Sequence, residues 1–405
     1  MTDKNRTCQI NIREARLEDD AHICALIRHV SMPGNISATT DYEPSYFSAI
    51  EIHGYEHRVA VAETDNQIIG VRTVSNRRIF LNGNSVNFGY VSRLYIDPSF
   101  GGKKVAIQLV HFTAKWHQEG FEFPHYLFAV LQDNVTARNI FSSRHSGVPP
   151  VECVGILYSA AIPLFKRRRP SLPSGISVVR GSMVGAVQIA EFLNRTGREK
   201  QFFPVYTADD IMSDHGILRG LYLDDFYIAK KGDQIVGITA CWNQMAFARV
   251  IITGYPWYLR VLNHLGSPFL SNILNMAPFP KPGEFVKNLC AACIAVEENN
   301  QQIFESLLNT ILHDQYNTGK TCLVVGLMES DPLIPVLHRY LHLTSRTCIY
   351  MASWEGFDIL SEPKGRVPYI EEAVLGPSFL GTRIFLCNLR RVDEGNDRRI
   401  SCASF

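Results

Sequence analysis

Two glycines and two lysines meet in the stretch Asp97-Pro-Ser-Phe-Gly-Gly-Lys-Lys-Val-Ala106. A strand-like run, Val91 to Asp97, leads in, and a helix-like run, Val105 to Gly120, leads out. Such a junction suits an anion. The first turn of a helix leaves backbone N–H groups unpaired, and the helix dipole places partial positive charge there. Glycine lets the backbone approach a phosphate closely, and the ammonium groups of Lys103 and Lys104 add charge. Gly319-Lys320-Thr321 has the ending of a P-loop, but Asp314 stands where that motif needs its first glycine.

A metal is not expected. Cys290-Ala-Ala-Cys293 and His338-x-x-x-His342 supply zinc-binding residue types, but they lie about 45 residues apart, against ~12–15 in a zinc finger. Cysteines three apart on a strand also point to opposite faces. His338 and His342 are expected on one helix face.

The elements around the junction read as follows. Asn11 to Ala15 is a short strand, and Glu18 to Met32 a helix with an acidic start. His57 to Ser75 reads as strand, Asp-Asn turn, strand. A strand precedes the glycine loop, and the following helix carries Val105, Leu109, Phe112 and Trp116 on one stripe. Strand, short helix and strand complete the first half. A similar order recurs after residue 175. Asp97 to Gly120 spans about 23 residues and Glu297 to Gly319 about 22, which suggests two copies of one topology.

The bulk numbers bound the class. A chain of 405 residues predicts two domains, and 46% hydrophobic with 20% charged residues is ordinary globular material. Lys plus Arg is 40 and Asp plus Glu is 39, so no nucleic-acid partner is expected. No long apolar run predicts membrane insertion, and no apolar leader opens the chain. Ten scattered cysteines read as reduced core residues of a cytoplasmic protein.

This order, with "RLYIDP" before the loop and an amphipathic helix after it, resembles the GNAT superfamily of N-acetyltransferases. The family's loop is Arg/Gln-x-x-Gly-x-Gly/Ala. Gly102 and Ala106 fit it, while Gly101 replaces the leading Arg and Lys104 the second glycine. A second motif, Asn-x-x-Ala-x-x-x-Tyr, is met by Asn134 and Ala137, with Phe141 in place of the Tyr that usually acts as general acid. The resemblance implies an α/β fold of two tandem GNAT-like domains, each a mixed, mostly antiparallel sheet flanked by helices. Their expected bounds are 1–165 and 176–390, joined by a basic linker at 166–175 and followed by a flexible tail at 391–405. It implies acetyl-CoA or another acyl-CoA as co-substrate, held by Leu94, Tyr95, Ile96, Gly101, Gly102, Lys103, Lys104, Val105, Ala106, Asn134 and Phe141.

The chemistry so implied is attack of an amine on the thioester, with orientation supplying much of the rate. Tyr95 is the candidate replacement for the missing acid, or a packing residue. His145 and Glu152 are candidate bases or surface residues. The matching loop of the second half, Glu297 to Gln302, has no glycine and two carboxylates, so it is not expected to hold a diphosphate. Three readings stand: an N-acyltransferase with an unidentified amine acceptor; a non-catalytic acyl-CoA-binding or partner-binding module; and a long-chain acyl transferase using CoA or carrier-protein thioesters. The last is motivated by the apolar segment Asn243 to Glu284, read as an insertion that caps the acceptor site, holds an acyl chain, mediates a homodimer or adds core.

Overall fold

The computed structural model of the chain describes residues 9–31, 36–142, 147–166, 170–257, 280–356, 366–376 and 383–385. The strands are β1 (Asn11–Glu14), β2 (Ser37–Asp41), β3 (Glu56–Thr64), β4 (Gln67–Leu81), β5 (Asn84–Ile96), β6 (His125–Leu131), β7 (Val151–Pro163), β8 (Ile176–Arg180), β9 (Phe226–Lys231), β10 (Gln234–Trp242), β11 (Arg249–Gly254), β12 (Phe285–Val286), β13 (Asn288–Val296), β14 (Cys322–Met328), β15 (His342–Ser353) and β16 (Arg383–Phe385). The α-helices are α1 (Asp20–His29), α2 (Tyr46–Ala49), α3 (Gly102–Lys115), α4 (Val135–Ser142), α5 (Ala186–Gly197), α6 (Ala208–Met212), α7 (Gln301–Gln315) and α8 (Ile334–Leu337).

Local chemistry accounts for the hairpins. Asp65 and Asn66 (φ 47° and 63°) join β3 to β4, and Asn82 and Gly83 (φ 51° and 83°) join β4 to β5. Two central residues at positive φ match the right-handed twist of the strands they connect. α3 lays Val105, Leu109 and Trp116 on Ala60, Ala62, Ile69 and Val74 of β3 and β4. Gly70 makes that approach close, since a Cβ there would stand 3.2 Å from both Leu109 and Val105. Gly237 of β10 does the same beneath Ile303 and Leu307 of α7. α1 covers the opposite face of the first half, with Ile23 and Ile27 fully buried.

One large sheet replaces the expected pair. Its order is β1-β3-β4-β5-β6-β15-β7-β14-β13-β10-β9-β8, with β16 on β15. Only β5–β6 and β13–β14 are parallel in the described ladders. β15, near the end of the chain, sits between β6 and β7 of the first half. β7, in turn, pairs with β14 of the second. The backbone hydrogen bonds of these strands are therefore satisfied across the halves, which is why no boundary divides the sheet at residue 165.

The segment read as an insertion makes a second sheet. Its strand β11 pairs antiparallel with β2 and with β12. Asp41 of β2, 3% exposed, binds Arg28 of α1 and Arg249 of β11, both at 2.6 Å. Residues 258–279 of that segment, Arg167 to Arg169 of the linker, His145 and the tail at 391–405 lie outside the described residues. His338 and His342 do not share a helix: α8 ends at Leu337, and His342 opens β15.

Candidate functional site

The site begins where two parallel strands part. β5 and β6 pair only at Gly89↔Tyr126 and Tyr90↔Leu127, yet β5 continues to Ile96. Past Tyr90 a bulge interrupts the β4–β5 register between Val71 and Thr73, and Arg93 takes φ 56°. A bulge adds a residue and re-aims the strand. Leu94 and Ile96 then pack with the α3 cluster, while Tyr95 packs with the α1 face. The bulged strand thus divides these side chains between the two faces of the sheet.

β5 ends in the glycine junction. The Asp97 carboxylate accepts the Ser99 N–H at 2.9 Å, and that bond lowers its pKa. Gly101, at φ 72°, is the residue before α3, and a Cβ there would meet nothing within 4 Å. The left-handed turn favours glycine. Around Gly102 the nearest atom to a built Cβ is 4.0 Å away, on Ile96. Lys103 and Lys104 are exposed, and Val105 and Ala106 are buried against the sheet. The stem of Lys104 thus leaves the junction open. Its amide bonds back to the Gly101 carbonyl at 3.0 Å.

On the α3 face, the parting strands border a shallow groove that opens to solvent. β4, β5, α3, β6 and residues 148–151 line it, together with Ala352 and Trp354. The lining is apolar except for Arg72, Thr113 and the polar edges of Tyr126 and Trp354. Arg72 lies opposite the β5 bulge, is 7% exposed, and has no hydrogen-bond partner on Nε or Nη1. Burial alone pulls it down to about 10, so it stays charged at neutral pH.

On the α1 face, Arg93 is engaged through both terminal nitrogens, with only Nε left without a partner. It donates to His53 Nε2 (3.0 Å) and to the carbonyls of Val374 and Leu375 (both 3.3 Å), and lies over the Tyr42 ring. Burial, and then the Arg93 charge, holds the His53 imidazole well below its ordinary value. Tyr46 shares a 2.6 Å hydrogen bond with Thr73, and Tyr95 is 7% exposed. The two faces therefore offer different things: a tyrosine-rich, neutral-imidazole environment on one side and an unpaired cation on the other.

Residues 25–145 match the family model described as Acetyltransferase (GNAT) family. This segment is a GNAT-family domain. Among solved structures, the chain is similar to a GCN5-related N-acetyltransferase from Sphaerobacter thermophilus (TM-score 0.51, 14% identity, 85% of this chain and 95% of that one). It is also similar to Saccharomyces cerevisiae N-myristoyltransferase with bound myristoylCoA (TM-score 0.54, 8% identity, 85% and 82%). Identities this low speak to the fold. No curated protein matches the chain in sequence.

Beyond the GNAT-family segment, the same geometry recurs 200 residues later and is closed. β13 and β14 pair in parallel from Asn288 to Cys290, and Cys293 takes φ 52°, as Arg93 does after Tyr90. Here the chain fills its own gap. Glu371 Oε2 accepts the Cys293 N–H (2.9 Å), the Tyr369 hydroxyl (2.9 Å) and the Tyr206 hydroxyl (3.4 Å). The Tyr369 oxygen accepts the Ile294 N–H at 3.1 Å. The helix start is closed too. The Asn300 side chain accepts the Gln302 and Ile303 amides (3.0 and 3.2 Å), whereas α3 of the GNAT-family segment has a bare glycine at that place. Glu297 is paired with Arg195 at 2.6 Å.

The remaining sequence candidates fall as follows. Asn134 is exposed and caps α4, its Oδ1 accepting the Ala137 N–H at 3.0 Å. Replacing it with alanine is expected to cost about 1 kcal/mol of stability in denaturant melts, with no change in thioester binding if capping is its whole role. Phe141 is in α4, but its side chain lies outside the described residues, as does His145. Glu152 is exposed on β7. Cys290 and Cys293 are buried free thiols, and His342 bonds Tyr158 at 2.6 Å and the Tyr340 carbonyl at 2.8 Å. Among the described residues no group of three or more His, Cys, Asp or Glu is placed to hold a metal ion. Among them, too, no helix is long and apolar enough to cross a membrane. Sequence reading missed Arg72 and Glu371. The one available signal for Arg72 was a single cation inside the apolar run Ile68 to Val74.

Proposed function

We propose that the chain is an acyl-CoA-dependent N-acyltransferase working through its first half. The observation that carries this is the contrast between the two gaps. In the first, an uncapped helix start, two exposed lysines and parting strands adjoin an open groove. In the second, the equivalent amides are taken by Asn300, Tyr369 and Glu371. The diphosphate of CoA binds the α3 amides of Gly102 and Lys103 with Gly101, Lys104, Val105 and Ala106 shaping the turn. The backbone of Leu94, Tyr95 and Ile96 pairs with the pantetheine arm, and preorganised amides there polarise the thioester carbonyl. The amine, entering beside the parted strands, attacks the thioester carbonyl and the C–S bond breaks; Tyr95 gives a proton to the leaving thiolate and regains one from the amine nitrogen through water.

The two halves are, in this reading, copies of one GNAT-like unit that exchange a strand. The 200-residue offset of Arg93 and Cys293, and of α3 and α7, supports it. Acetyl is the acyl group of the first reading. The apolar groove, and the myristoylCoA held by the fungal N-myristoyltransferase of similar fold, favour a longer chain as the second reading. Free cysteines support a reducing, cytoplasmic setting.

A thermal-shift series with CoA, acetyl-CoA and a long-chain acyl-CoA tests the binding, because a ligand at about 100 times its Kd adds about 2.7 kcal/mol. Amine-dependent thiol release in the same samples separates transferase from binder. No shift with any thioester rejects the reading.

A further inference from the structure

Arg72 has no evident structural task. A buried cation is costly unless paired, because its desolvation is not repaid by the fold. Arg93, its neighbour across the sheet, meets that demand with three hydrogen bonds. Arg72 has none on Nε or Nη1, although it is more than nine-tenths buried. It borders the groove together with Val74, Val91, Val110 and Phe128, and no carboxylate is among the described lining residues.

We propose that the groove receives a carboxylate carried on a short apolar stem, with the Arg72 guanidinium as its counter-ion. Nε and Nη1 are closed to the groove, so the guanidinium meets the carboxylate through its charge and its remaining terminal nitrogen, Nη2. The diphosphate of CoA is excluded as the anion by distance. Val110, Thr113 and Ala114 of α3 border the groove, and Val110 lies eight residues from the helix start, about 12 Å along the axis. The pantetheine arm itself is neutral. The anion therefore arrives with one of the reacting partners, as the free end of a dicarboxylic acyl group or as a carboxylate on the acceptor; this assignment of source, but not the anion site, rests on the acyl-transfer reading.

Calorimetry on the full chain tests it in two arms. In the first, valerate and valeramide are titrated into the protein alone. In the second, glutaryl-CoA is compared with valeryl-CoA, and CoA itself is titrated as a reference. One or both charged ligands bind about 10- to 100-fold tighter than the neutral partner. Arg72→Met removes that preference, leaves the CoA affinity unchanged and does not lower the melting temperature; Arg72→Lys retains part of the preference. A preference in both arms assigns the carboxylate to the acyl group. A preference for valerate alone assigns it to the acceptor. Equal binding of charged and neutral ligands in both arms overturns the proposal. Loss of CoA binding with valerate preference intact overturns instead the acyl-transfer reading.

Discussion

If the proposed site holds acyl-CoA, Gly102→Glu abolishes the stabilisation that the thioester is expected to give the wild-type chain. A side chain is tolerated there, since a Cβ would find its nearest neighbour 4.0 Å away and the backbone is not at positive φ. The new carboxylate sits at the start of α3, where the dipole favours it by about 0.3–1 kcal/mol. The protein alone therefore melts at the same temperature or slightly higher. A diphosphate is opposed: one pair of like charges at ~5 Å costs about 3 kcal/mol at an effective dielectric of 20. Affinity falls by a factor of about 100 or more, and the thermal shift at fixed ligand vanishes. Gly102→Ala keeps the shift, because it adds bulk without charge. Unchanged binding in Gly102→Glu would place the cofactor elsewhere.

Glu371→Leu destabilises the chain by about 3 kcal/mol or more. One carboxylate oxygen holds the Cys293 amide and two tyrosine hydroxyls in a buried gap, and each buried group left without a partner costs about 1–3 kcal/mol. Glu371→Gln keeps an acceptor oxygen and loses less. The two forms also differ in pH dependence. Burial raises the Glu371 carboxyl above its ordinary value. The unfolded chain then releases that proton at a lower pH than the folded one. Glu371's contribution to stability is greatest in acid, falls as pH rises past the unfolded value near 4.3, and levels off above the folded value. Chemical denaturation across pH, wild type against Glu371→Gln, shows this slope in the first and not in the second. Equal slopes would mean that Glu371 ionises as freely in the fold as out of it.

The glycine junction was legible because its logic is local: strand, turn and helix follow one another within thirty residues. Arg72 was not, because its meaning depends on which strand stands beside it and where that strand parts from the next. Glu371 was not, because the amide it serves lies 78 residues earlier in the chain. The segment around it carries no period and no motif. The single sheet was hidden for the same reason. Alternation marks β7 and β15 as strands, but it names no partner, and each of these two pairs outside its own half.

That reciprocal placement bears on why a half with a sealed gap persists at all. β15 is the strand beside β6, on the rim of the open gap, and it is supplied by the half whose own gap is filled by Glu371 and Tyr369. Shedding residues 176 onward would leave β6 and β7 with raw edges facing each other in the middle of the fold. One half thus walls the gap of the other while its own is stoppered by its own side chains.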